Sequence, residues 1–93
     1  PVVYSMTPFL LYRPFEFIRV HIDNDKIPVK LFGAGRDKDY DWLGFTHWSH
    51  DDVEHTRGFK NIDKHWPEGP EDMEDIFYDS IYSNNPCYVN LKR

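Results

Sequence analysis

Phe15-Glu16-Phe17-Ile18-Arg19-Val20-His21-Ile22, then Asp23-Asn24-Asp25-Lys26, then Ile27-Pro28-Val29-Lys30-Leu31-Phe32: how this run is read decides the fold. In its first third, Ile18, Val20 and Ile22 alternate with Phe17, Arg19 and His21, the period-two pattern of a strand with one apolar face. The four polar residues that follow favour a tight turn. Ile27 to Phe32 then reads as a return strand, and Pro28, which has no N–H to donate, makes that strand an edge. The run predicts a β-hairpin over about 15–32. A lone hairpin is marginal in water, so its Ile18/Val20/Ile22 face needs a cover.

Downstream, Gly33-Ala34-Gly35-Arg36 could suggest a phosphate loop. Asp37-Lys38-Asp39 follows where such a loop requires a helix start, so a turn leaving the hairpin is expected. Ser49 with Asp52 three residues on resembles a helix cap, and Gly58 a terminator. They predict a short helix over about 50–57. Pro70, the acidic Glu71, Asp72 and Glu74, and the apolar stripe Met73, Ile76, Phe77 and Ile81 predict an amphipathic helix over about 70–83, ended by Asn84-Asn85-Pro86. The tail, 84–93, offers Tyr88, Val89 and Leu91 as a short strand or a docking arm. Upstream, Pro1, Pro8 and Pro14 disfavour a helix. Residues 1–14 are expected to form an extended docking arm made sticky by Phe9, Leu10, Leu11 and Tyr12. The expected fold is small α+β, one domain over 15–83 between two arms.

The chain has 93 residues, 40% of them hydrophobic, with 3 Trp, 6 Tyr and 7 Phe. Such rings fill a compact core or an interface. The net charge of −5 argues against a nucleic-acid partner, since phosphate backbone needs a basic face. One cysteine, Cys87, cannot bridge internally, which points to an intracellular, reducing compartment, mitochondrial among the options. No apolar run approaches the length of a membrane span, so the chain brings no transmembrane segment of its own. A start at Pro1 fits removal of an initiator Met or cleavage of a precursor.

Chemistry, if present, belongs to Tyr40–Gly58, which holds two tryptophans, His47, His50 and His55, and four carboxylates. Imidazoles and carboxylates suit zinc or another divalent metal. On a helix, however, His50 and His55 lie about 140° apart, so they do not share an ion readily. No cofactor-binding motif and no catalytic signature is present, so no catalytic residue is assigned. Glu71, Asp75 and Asp79 lie at i, i+4 and i+8, a mutually repelling row that would suit a basic partner. Phe9, Leu10, Trp42, Trp48 and Trp66 supply apolar docking groups. The sequence therefore points to a non-catalytic accessory subunit that bridges or stabilises other protein subunits, some with basic surfaces, in a larger assembly such as an organellar energy-converting complex. The competing readings are a small metal-binding domain built on His47–His55 and an acidic inhibitor or adaptor of a basic protein.

Overall fold

The computed structural model describes residues 1–93. Strand β1 (Val2–Met6) leads into a helical segment, α1 (Pro8–Tyr12). After a turn at Arg13-Pro14 comes α2 (Phe15–Phe17), which continues without a break through Ile18–Asn24. Both α1 and the end of α2 are wound in wide turns, as in the bonds from Arg13 N–H to the Pro8 carbonyl and from Asp25 N–H to the Val20 carbonyl, each 3.2 Å. Then follow β2 (Lys30–Ala34), two short 3₁₀ turns (Asp41–Leu43 and Phe45–His47), α3 (Asp52–His55), β3 (Asp63–His65), α4 (Pro70–Tyr82) and β4 (Cys87–Leu91). The strands form one sheet in the order β1-β2-β4-β3, with every neighbouring pair parallel. The class is α/β.

The hairpin over 15–32 is not what forms. Ile18 and Ile22 are four residues apart, an even spacing that keeps them on one face of a strand and an i, i+4 spacing that keeps them on one face of a helix, so the same pair lines one face of either element. In the fold they are 2% and 5% exposed on α2, against the sheet. Topology decides the ambiguity. β1 and β2 are parallel neighbours, and parallel strands need a crossover, usually helical, between them. Residues 7–29 supply it. Asp23, expected in a tight turn, is instead buried, and its carboxylate accepts the backbone N–H groups of Lys60, Asn61 and Ile62. Pro28 precedes β2 and does not mark an edge: β2 pairs on both sides, with β1 and β4.

The first half of segment 1–14 is extended and docks as the edge strand of its own sheet; the second half is α1, whose Leu10 and Leu11 enter the core. The tail supplies β4, which with β2 is one of the two interior strands. Alternation along β4 builds two layers of core. Tyr88 faces Leu10, Leu11, Ile18, Ile22, Leu31, Phe59 and Ile62. Cys87 and Val89 face the other way, with Phe32, and are covered by Met73 and Ile76 of α4. The amphipathic helix forms over nearly the span its stripe predicts. α3 is shorter than expected, and Ser49 does not cap it: its hydroxyl donates to the Gly35 carbonyl at 2.7 Å.

Candidate functional site

The segment 36–52 folds over the C-terminal ends of β2 and β4, the end of a parallel sheet where ligands usually gather. Gly35 opens it, with φ +89 and its N–H bonded to the Leu91 carbonyl at 2.9 Å. A Cβ there would lie 2.5 Å from the Tyr40 ring, so glycine is required twice over. Ser49 closes the loop through its N–H to the Asp37 carbonyl at 2.8 Å.

Beneath the loop lies a buried polar network. Asp52 is 4% exposed. Its carboxylate accepts from Trp66 Nε1 at 2.9 Å, Tyr88 Oη at 2.7 Å and Asn90 Nδ2 at 2.8 Å. Arg36, 8% exposed, donates to Asn90 Oδ1, the Asn90 and Pro67 carbonyls and Glu68. Burial, with Asp52 beside it, pushes the Tyr88 hydroxyl well above its ordinary pKa, so it stays a neutral donor. A network this well partnered fixes one arrangement of the loop over the sheet.

Above the network is a groove of about 240 Å³ lined by Pro8, Tyr12, Arg13, Phe45, Thr46, Trp48 and Asp51. Tyr12 Oη donates to Asp51 Oδ1 at 2.6 Å. Burial and that bond raise the tyrosine's pKa, which again keeps the proton on the ring oxygen. His55 is packed between Tyr12 and Phe15, with ring centroids 4.3 and 4.4 Å away and the rings inclined at 60° and 62°. Burial lowers its pKa against the opposing pull of Asp51 and Asp52, so it is held neutral. Its Nε2 and Trp48 Nε1 are buried with no hydrogen-bond partner in the protein. The arrangement offers aromatic walls, one carboxylate and one guanidinium: groups that bind and orient. The one hydroxyl–imidazole pair nearby, Thr46 Oγ1 and His47 Nδ1 at 3.0 Å, is exposed and joins sequence neighbours.

The three histidines go to three different neighbours. His47 packs on Phe9, His50 on Phe45 and Trp48, and His55 on Tyr12 and Phe15. No group of three or more His, Cys, Asp or Glu side chains converges to hold a metal ion. The aromatic docking set also divides. Trp42 is 63% exposed, with the Arg93 guanidinium 4.4 Å from its ring. Trp48 is half-buried under the Lys38 ammonium. Trp66 is half-buried against the core, held by Asp52. Phe9 is half-buried beneath Arg13, whereas Leu10 is 4% exposed and belongs to the core, so it is not a docking residue in this fold. Glu71, Asp75 and Asp79 are exposed on α4, and none of them joins an ion pair.

Sequence reasoning missed Arg36, Asn90, Tyr88 and the role of Asp52. Arg36 looked like a loop charge, and the Tyr88-x-Asn90 alternation in the tail was the available signal for a polar strand face.

Fold and site define an α/β protein with a four-stranded parallel sheet, core layers on both of its faces, and a groove lined by aromatic rings, a carboxylate and a guanidinium. No protein-family model matches the chain. It is 34% identical, over 97% of its length, to a protein of Actinobacillus succinogenes described as one of the subunits of an apulose-4-phosphate transketolase. It is 25% identical, over 98% of its length, to an uncharacterized 33.6 kDa protein in the fasciation locus of Rhodococcoides fascians. Among solved structures it superposes along its whole length, with a TM-score of 0.83 and 22% identity, on a split-gene transketolase described as an inactive beta4 tetramer; at that identity the likeness shows the fold. The chain spans 29% of the length of each of these three proteins. The two that carry a described role are components of multi-subunit assemblies.

Proposed function

We propose that these 93 residues form part of a transketolase-type subunit that works with other protein subunits, here as the scaffold that presents the loop 36–52 and its groove. The observation that carries this reading is the agreement of two independent likenesses. Sequence similarity over 97% of the chain and superposition over all of it both lead to transketolases of divided form. The groove supports it, because Tyr12, Phe45, Trp48 and Asp51 are binding groups without a complete catalytic set. A site of that kind is finished by neighbouring polypeptide. On this reading the expected accessory subunit is a component of an enzyme, and nothing in the likenesses supports an organellar energy-converting complex. By its relative's name, apulose 4-phosphate is the first donor to try.

The test is purification under mild conditions from the native source, followed by an assay of ketol transfer from apulose 4-phosphate and other phosphorylated ketoses. The expected result is a co-purifying second polypeptide, with transfer by the mixture and none by this protein alone. Transfer by neither, with the partner present at stoichiometric amount, rejects the reading.

A further inference from the structure

At the N-terminal ends of β3 and β4, the opposite end of the sheet from the 36–52 loop, α4 and β3 form a polar cleft of about 310 Å³. It is lined by Asp63, His65, Asp79, Ser80, Ser83 and Cys87. The register explains the company: Asp63 lies beside Cys87 and His65 beside Val89, on the face that α4 covers. Neither Asp63 nor Asp79 joins an ion pair. Lys64 turns, by alternation, to the other face. Lys30, whose ammonium acts on the Cys87 thiol, is buried and donates to the Ser83 and Asn85 carbonyls instead. Ser80 is 3% exposed, and its hydroxyl is buried with no hydrogen-bond partner in the protein. The Cys87 thiol beside it is too weak a partner to fill that place. Buried hydroxyls are as a rule partnered, so this one marks a place for a ligand.

A row of carboxylates leads to the cleft. Glu71, Asp75 and Asp79 step around α4 by about 40° at a time and span about 12 Å. The last of them, Asp79, lines the cleft. The helix dipole does not account for the row. It favours negative charge in the first turn, whereas Asp79 stands in the last turn, where the helix end is itself negative. Like charges at i, i+4 also repel. No Lys or Arg occurs between Trp66 and Leu91 to relieve them. Tyr78 and Tyr82, three residues beyond Asp75 and Asp79, set a ring beside each of these carboxylates. The two rings are parallel to within 8° and are 56% and 80% exposed. Carboxylates beside open aromatic faces are what guanidinium and ammonium groups bind.

We propose that the cleft and the row form a docking site for a basic segment of a partner protein, with one arginine or lysine side chain seated in the cleft against Asp63, Asp79 and Ser80. A cation there supplies the hydrogen bond that Ser80 lacks and relieves the repulsion along the row. The length of the row, with its two rings, calls for a segment that carries several cations on one backbone. A second copy of this chain brings a net charge of −5 and a nucleic acid brings phosphates, so neither complements the face. The site is separate from the groove of the proposed function and does not depend on that reading.

The probe is a fluorescent alanine-based helical peptide with arginine at every fourth position, titrated by anisotropy into the full natural polypeptide carrying these residues. Saturable binding at low salt is expected, weakened at least about 10-fold by Asp75→Asn/Asp79→Asn and about 3-fold by Asp63→Asn. The matched control Glu16→Gln/Asp25→Asn removes the same charge from exposed positions on and just past α2, and should leave affinity within about 2-fold. The unfolding midpoint of the row variant should be no lower than the parent's, because it removes repulsion. Equal weakening by the control would reduce the attraction to diffuse charge and overturn the proposal. So would absence of saturable binding, unchanged affinity in Asp63→Asn, or spermidine binding as tightly as the peptide. A lowered midpoint in the row variant would likewise overturn it, by giving the carboxylates a structural role.

Discussion

Asp51 and Asp52 are neighbours in sequence with opposite surroundings. Asp51 is exposed and takes the Tyr12 hydroxyl at the groove wall. Asp52 is buried and anchors Trp66, Tyr88 and Asn90 at once. Removing a buried acceptor leaves its donors unpartnered, at about 1–3 kcal/mol for the worst-placed group. Asp52→Ala should therefore lower stability by about 3 kcal/mol in urea unfolding, while Asp51→Ala, at the surface, should cost well under about 1 kcal/mol. Equal costs would mean the network does not hold the loop. His55 gives a pH signature. Burial holds its folded pKa below the ordinary 6.5, so the unfolded chain binds the proton first. Its contribution to stability is whole above pH 6.5 and is lost as pH falls through the folded value. His55→Phe keeps a ring between Tyr12 and Phe15 but cannot titrate. The unfolding midpoint of this variant, followed from pH 7.5 to 5, should fall less steeply than that of the parent. Parallel curves would show that His55 is not the source.

At the scale of elements, legibility followed the strength of local signals. The helix at 70–82 was readable because Pro70, the acidic first turn and the Met73/Ile76 stripe all agree. The Phe15–Ile22 run was not, because residues at i and i+4 fit strand and helix alike, and a long-range fact, the parallel pairing of β1 with β2, made the choice. β1 and β4 were obscured by their flanking prolines, which mark strand ends in this fold rather than arms. The density of rings and carboxylates at 40–58 marks the segment that lines the candidate groove through Phe45, Trp48 and Asp51. The buried half of the site was not legible, since Arg36 and Asn90 reach it only through the register of β2 and β4. Two variants test the element assignments. Leu11, fully buried on α1, should cost about 3 kcal/mol as Leu11→Ala; at the tip of a free arm it would cost nothing. Gly35→Ala forces a side chain into a left-handed backbone and against Tyr40, and should cost about 2 kcal/mol in the same unfolding assay.

For the whole molecule, the exposed apolar surface is not scattered. Apart from the β1 edge with nearby Phe17 and Ile27, the outer side of α4 and Val53 on α3, it gathers on the loop over the C-terminal end of the sheet, where Trp42, Leu43 and Phe45 are 63%, 41% and 68% exposed. Trp42 is steadied by Arg93, and Phe45 packs edge-on to Trp48, so both rings are presented rather than loose. Preordered aromatic rings beside a binding groove are what hot spots are made of, because little side-chain freedom is lost when a partner covers them. The double variant Trp42→Ala/Phe45→Ala should therefore weaken association with the partner subunit proposed above by about 30-fold, near 2 kcal/mol. Its own unfolding midpoint should stay close to the parent's, because neither ring is in the core. His50→Ala is the matched control: the ring is exposed on the same loop and packs on Phe45 and Trp48, yet offers less apolar area. Association measured by sedimentation across a concentration series should rank parent and His50→Ala together, with the double variant well below. If His50→Ala proves the more damaging, the loop contacts its partner through polar groups, and the aromatic face serves the groove instead.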